Sequence, residues 1–450
     1  MKRLARANVH FLLCSRSIDW RAEAKELGLI TRDSDYQEIR LRGLTQLDAR
    51  EVVRAWGALG REGLRNLFGQ EEERAAENLC GASISPDTEE QEGAFLGAML
   101  RLRYGDTLKD KIRSILYRLK DIPTPGGSLL DAYAMIAAMH NEGLRFLSLP
   151  VLAEALGCSH SEVQRKIINP LADEAIAAGG GRFVLCRHKA IAEATVEVLN
   201  ETNLYGEIDE SFATLSRAAI IARQKGQYVP DLQKWDYLLP EHFSESGRNK
   251  IAIDAAEQMQ AADPTDIRLR VNLSKVYRQT DENLKAAKLF RDFEGELSTR
   301  VAWHEWAVAE RGNSNHLPSL ILAAISICDL PSSLPTTRSS AAKALSTMSL
   351  NFYSLYDRYK DPIYLQAVLV VTQLVETLGV VDIDANKATS ELNQFALEHG
   401  ATLPERSELL SALSAIIQGV ASLVDFELFA KGRVPRAAIA KYEGLASHFR

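Results

Sequence analysis

The sequence predicts a mostly α-helical, multi-domain protein that opens on one remnant strand of an α/β sheet. Three observations carry this. Val9-His10-Phe11-Leu12-Leu13-Cys14, closed by Ser15-Arg16-Ser17, has the pattern of a central strand buried on both faces, yet no companion strand stands near it. From Thr45 onward apolar residues recur at helical spacing. From about residue 245 similar residue types return at a step of 33.

Composition narrows the class. The chain has 450 residues, 46% hydrophobic and 25% charged, enough for about two to four ordinary globular domains. A net charge of −7 gives no support for a nucleic acid or an acidic membrane surface as partner. Cys14, Cys80, Cys158, Cys186 and Cys328 are scattered, without a C-x-x-C pair, which predicts reduced thiols in a cytoplasmic protein. Lys2, Arg3 and Arg6 imitate a signal peptide. The apolar run behind them is too short, contains His10 and lacks a small-residue cleavage site. Gln366, Gln373 and Glu376 interrupt the one long apolar segment, residues 365–383, so no membrane span is expected.

Residues 1–35 hold the strand, which only eight residues precede. Residues 36–122 begin with Tyr36-Gln37-Glu38-Ile39-Arg40-Leu41-Arg42-Gly43-Leu44. A helix then opens at Thr45, with Asp48 three residues on as a reciprocal cap. Ala49, Val52, Val53 and Trp56 form its apolar face. A polar stretch covers 70–91, and 109–120 is an amphipathic helix with Ile112, Ile115, Leu116 and Leu119 on one side.

This order of strand, Ser-Arg, variable loop, hydrophobic segment and amphipathic helix resembles STAND-type P-loop ATPases over residues 8–60. The resemblance implies that 1–35 is a remnant of the nucleotide-binding core, with Arg16 as nucleotide sensor, and that 36–122 is the helical lid. The alternative for Arg16 is a surface arginine paired with Asp19 or Glu23. The departure from the family is large. The 450 residues contain no G-x-x-x-x-G-K-[ST], the loop that wraps backbone N–H groups around phosphate, and no apolar strand ending in Asp-Asp or Asp-Glu. No catalytic residue is assigned. ATP or ADP with magnesium is expected only if the missing half is supplied. The expectation is a split-gene product or a start at an internal methionine.

Pro123-Thr124-Pro125-Gly126-Gly127 marks a boundary. Over 128–200 come an apolar helix (129–140), a second (149–156) stopped by Gly157, and a third (161–176) interrupted at Asn169-Pro170. Gly179-Gly180-Gly181 then turns into the short strand 182–187. Three helices and a glycine-turned ribbon resemble a winged-helix domain, which STAND ATPases carry after the lid. By that resemblance His188 contacts the β-phosphate of ADP and holds the closed state. The alternative is a histidine that caps the following helix. Ser161, Gln164, Arg165 and Lys166 would form a DNA-reading face. However, 128–200 has six basic and eight acidic residues, and this argues against DNA.

Residues 201–244 read as a helical linker containing Tyr228-Val229-Pro230, Trp235 and Tyr237. From 245 to 450 Leu273 and Trp306, Tyr277 and Glu310, and Phe290 and Ala323 are each 33 apart, and Pro264 and Pro331 are 67 apart. The spacing resembles tetratricopeptide repeats. It implies an α-solenoid of helix pairs whose core holds Leu273, Tyr277, Ala286, Phe290, Trp303, Trp306 and Ala323. Trp303, Trp306 and His304 could suggest a binding cage, but Trp306 falls on a core position. Asp361-Pro362 with Ala367, Val371 and Leu374 would open a further helix.

The resemblances together imply a signalling protein whose repeats sense a protein trigger and whose lid and winged helix hold a nucleotide-dependent off state. They also imply homo-oligomerisation and, as for bacterial members, a role in anti-phage defence. The competing expectation is a nucleotide-independent scaffold or a winged-helix transcriptional regulator. No metal-ligand motif or nucleophile–base pattern stands out.

Overall fold

The computed structural model describes residues 44–60, 67–83, 107–174, 177–180, 183–297, 299–327, 337–379, 383–402, 405 and 408–421. The strand expected at 9–14, Arg16, Pro331, Cys14 and Cys328 lie outside them. Among the described residues the protein is mostly helical, and its named strands form two two-stranded antiparallel ribbons. The chain divides into two compact units, up to Trp235 and from Asp236. No described helix is long and apolar enough to cross a membrane.

In the first unit α1 (Gln46–Gly57) starts where the local chemistry asks for it. The Thr45 hydroxyl accepts from the Asp48 N–H (3.2 Å) and the Asp48 carboxylate accepts from the Thr45 N–H (3.0 Å). Ala49 and Val53 pack against Leu67 and against Ala75, Ala76 and Leu79 of α2 (Glu72–Ser83). In α3 (Thr107–Lys120) Ile112, Ile115, Leu116 and Leu119 are buried, as their spacing predicts.

The boundary segment forms a tight hairpin of β1 (Pro123–Thr124) and β2 (Gly127–Ser128). A Cβ on Gly126 would lie 2.4 Å from the Leu156 carbonyl oxygen, so only glycine fits there. Ser128 and Asp131 cap α4 (Leu129–Asn141) reciprocally, and α4 is almost wholly buried. Next come α5 (Leu149–Ala155) and α6 (His160–Val163), then a π-helical turn (Gln164–Ile168) that runs into α7 (Asn169–Asp173). In that turn the Asn169 N–H donates to the Gln164 carbonyl, five residues back. Pro170 has no N–H and crowds the carbonyl four residues before it, and the wide turn relieves this. The interruption expected at Asn169-Pro170 is therefore a change of turn width inside a continuing helical path. A second π turn, Lys234–Leu238, precedes Pro240 in the same way.

Ribbon β3 (Ala177–Gly180) and β4 (Phe183–Cys186) follows. The other edge of β4 is also used. The Val184 N–H donates to the Leu147 carbonyl (2.7 Å), and Ser148 bridges Phe183. Then come α8 (Lys189–Glu201) and α9 (Glu210–Gln224). Helix α9 lies within the expected linker and packs on α5 and α4, while α3, on the other side of the expected boundary, packs on α8 and α4. The Tyr133 hydroxyl lies 3.0 Å from that of Thr195, which donates to the Ile191 carbonyl. Burial pushes the neighbouring Cys186 thiol up to about 12.

The second unit is built from α10 (Leu239–Glu245), α11 (Asn249–Ala262), α12 (Ile267–Gln279), α13 (Asn283–Arg291), α14 (Arg300–Gly312), α15 (His316–Ile327), α16 (Arg338–Tyr359), α17 (Pro362–Leu378), α18 (Ile383–Glu398) and α19 (Leu409–Ala421). From α10 to α18 each helix packs on the next, and α10, α12, α14, α16 and α18 also touch in series. The core runs through α14, α15, α16 and α17, where Trp306 stacks between Phe290 and Trp303 at centroid distances of 6.1 and 5.9 Å. Asp361 caps α17, accepting from the Ile363 N–H at 3.0 Å, with Pro362 in the first turn.

Candidate functional site: the polar edge of helices α12, α14 and α16

The last turns of α12 and α14 carry Arg278 and Arg311, one step of 33 residues apart. Arg278 holds Glu305 of α14 with both arms of its fork, Nε to Oε1 at 2.6 Å and Nη2 to Oε2 at 3.2 Å. Glu305 is 4% exposed. The Ser274 hydroxyl donates to the same Oε1 at 3.2 Å. A buried carboxylate bonded by a bidentate arginine and a hydroxyl is well compensated for its lost hydration.

Arg311 is arranged differently. It is half-buried, and its Nε has no hydrogen-bond partner among the described residues. Its guanidinium has no carboxylate partner among them either. Burial first, and the neighbouring Arg278 second, lower its pKa from the usual arginine range.

Helix α16 completes the edge. His304 of α14 places Nε2 3.1 Å from the Thr347 hydroxyl, which itself donates to the Lys343 carbonyl at 3.1 Å. The hydroxyl must therefore accept from His304, which puts the imidazole hydrogen on Nε2. Burial pushes this histidine down to about 4, opposed by Glu305 and assisted by Arg278, so it is neutral near neutral pH. Lys343 is exposed. On α12, three residues before Arg278, the Lys275 ammonium lies 5.6 Å from the centre of the Tyr237 ring.

Deeper in the unit a second polar seam joins α15 to α16. Asn351 donates to the Ser319 hydroxyl (2.8 Å), its carbonyl faces His316 Nδ1 (3.0 Å), and Ser319 donates to the Ala307 carbonyl (2.6 Å). Glu310, fully buried, accepts from Arg291, from Trp306 Nε1 (2.8 Å) and from Asn315 (2.8 Å). A separate groove of about 750 Å³ opens near Pro264, Leu289 and Phe293. Arg270 floors it, donating to the Leu289 (2.6 Å) and Pro264 (2.9 Å) carbonyls and lying 4.1 Å over the Phe293 ring. That arginine is held as structure.

Leu273, Tyr277, Ala286, Phe290, Trp303, Trp306 and Ala323 are all buried. Tyr277 also donates to Glu257 at 2.6 Å. Trp303 and Trp306 stack in the interior and form no cage. His188 begins α8: its Nδ1 accepts from the Ala190 N–H at 3.0 Å, which is a helix cap. Sequence reasoning missed Arg278, Glu305 and Arg311. The repeat step itself relates the two arginines, and that signal was available. Among the described residues no group of three or more His, Cys, Asp or Glu side chains could hold a metal ion.

No protein-family model matches the chain, and neither a curated protein nor a solved structure matches it.

Proposed function

We propose that this chain recognises a protein partner through a tetratricopeptide-like array and belongs to a STAND-type signalling protein. The observation that carries the reading is the shared edge of α12, α14 and α16. Three helices in contact present Lys275, Arg278, Arg311 and Lys343 together, while the large apolar residues at the repeat positions are buried. Such an array offers a long, pre-organised surface to a partner. The first unit supports the family reading by its order. A helix, an isolated β-bridge at Ser148, two helices and a ribbon come in the order of a winged helix, and α1 and α2 precede them as a lid would. In this reading the first unit holds an off state, and trigger binding to the array shifts the population to an open one that self-associates. A cytoplasmic role in anti-phage defence fits that family. ATP or ADP with magnesium would require a P-loop from outside these 450 residues.

Peptides selected by display on the full chain test the recognition surface. They should bind wild type and be lost from Lys275→Glu/Arg311→Glu. Equal binding by that variant would contradict the assigned surface.

One observation favours a second reading, a nucleotide-independent scaffold or regulator: the His188 Nδ1 is occupied as a helix cap. ADP added to this chain together with a P-loop partner domain separates the two. Protection of residues 183–201 from hydrogen exchange supports the ATPase reading, and none supports the scaffold.

A further inference from the structure

The groove of about 750 Å³ near Pro264 has a neighbour, a depression of about 520 Å³ lined by residues of α11 and by Thr280 and Glu282. Tyr277 and Glu257 stand where the two meet, joined by their hydrogen bond of 2.6 Å. Lys285 borders both, with its ammonium 5.5 Å from the centre of the Tyr277 ring. The two form one trough between α11 and α13, with Arg270 and Tyr277 of α12 in its floor. Its apolar part is Pro264, Leu289 and Phe293. A Cβ on Gly295 would lie 2.3 Å from the Phe293 ring, which the Arg270 guanidinium covers, so glycine lets the loop after α13 close on that ring. On the rim Lys285 is paired with Glu282 and Lys288 with Asp292. Asp254, Glu257, Glu294 and Glu296 also line the trough, and none of these four forms a salt bridge among the described residues. Against them stand only Lys250 at one end and Arg270 in the floor, so carboxylates are in excess.

We propose that this trough docks a short segment of a partner protein in which an apolar residue stands between basic ones. It is a second surface, distinct from the α12, α14 and α16 edge: none of Lys275, Arg278, Arg311 and Lys343 lines it. Glu294 and Glu296 are exposed and Asp254 and Glu257 half-buried, so an incoming cation reaches them. Glu282 and Asp292 flank α13, about 15 Å apart at the helical rise, a span that about five extended residues cover. The apolar residue lies on Pro264, Leu289 and Phe293, and the basic residues face the carboxylates on either side of it. Charge decides against the other occupants. An acidic segment meets like charge. A wholly apolar one covers carboxylates that lose water and gain no partner.

The test uses the full chain and fluorescein-labelled Arg-Arg-Ser-Leu-Ser-Arg-Arg. The controls are Arg-Arg-Ser-Ser-Ser-Arg-Arg and Glu-Glu-Ser-Leu-Ser-Glu-Glu. Fluorescence polarisation with protein up to ~1 mM should show the tightest binding for the first peptide, weakening as salt rises. Glu294→Lys/Glu296→Lys should weaken it about tenfold. Both side chains are exposed, so this variant should melt within about 2 °C of wild type, which shows that it is folded. Glu71→Lys/Glu77→Lys makes the same change of net charge at exposed positions of the first unit and should leave binding unaltered. Equal weakening by the two double variants would reduce the effect to overall charge and overturn the proposal. Equal binding of the serine control, preference for the acidic control, or no binding by wild type would overturn it as well.

Discussion

Arg278 and Arg311 stand one repeat step apart on adjacent helices, and among the described residues only Arg278 has a carboxylate against its guanidinium. The asymmetry lies in Glu305, which α14 buries under the end of α12. The two helices thus carry, one step of 33 residues apart, a cation with a carboxylate partner and a cation without one among the described residues.

Glu310 and Arg291 make the strongest demand on stability in the array. Glu310 is fully buried and takes donors from Arg291, Trp306 and Asn315. Arg291→Met removes its only cationic partner among the described residues and should destabilise the second unit by about 3 kcal/mol. Urea unfolding should show this as a lower midpoint with an unchanged slope. A change under about 1 kcal/mol would mean that Trp306 and Asn315 suffice to hold the charge.

The His304 environment predicts a pH dependence. Its pKa falls from an ordinary 6.5 to about 4 on folding, chiefly through burial. Above 6.5 both states are neutral and the group contributes no slope. As pH falls below 6.5 the unfolded chain takes up a proton that the folded chain refuses, so stability declines until about pH 4. His304→Gln keeps a donor toward Thr347 and should flatten that part of the stability profile. An unchanged profile between pH 6.5 and 4 would place the acid sensitivity elsewhere.

Gly126 tests the packing of the β1–β2 hairpin. Its missing Cβ leaves room for the Leu156 backbone, and backbone atoms cannot swing aside. Gly126→Ala should lower the stability of the first unit by about 2 kcal/mol. Hydrogen exchange of residues 129–156 would report it. A neutral result would show that the hairpin can lift from α5.

His188 can be separated into cap and sensor by three variants. As an N-cap it should cost about 1 kcal/mol as alanine and be restored by asparagine or aspartate. Thermal melts of the three proteins decide this. A failure of both replacements to rescue would point to a role for the imidazole beyond the cap.

Local rules made much of this fold readable. The Thr45–Asp48 cap, the Ile112–Leu119 face and the Asp361-Pro362 helix start all depend on residues within one or two turns, and the structure follows them. The 33-residue step marks positions that are buried in α12 to α15, because a repeated packing task repeats its residue types. The π turns were less readable. Pro170 announces a disturbance, but whether the helix stops or widens depends on what its far side packs against. The placement of α9 on α5 was not readable either, since no local pattern says which core an amphipathic helix will join. The Arg278–Glu305 pair spans 27 residues and two helices, beyond any short-range rule.

Hydrogen exchange of the full chain, with and without a display-selected peptide, tests the central claim most directly. New protection is expected along α12, α14 and α16, including the turns that hold Arg278 and Arg311. Protection confined to residues before 235, with that edge unchanged, would contradict it.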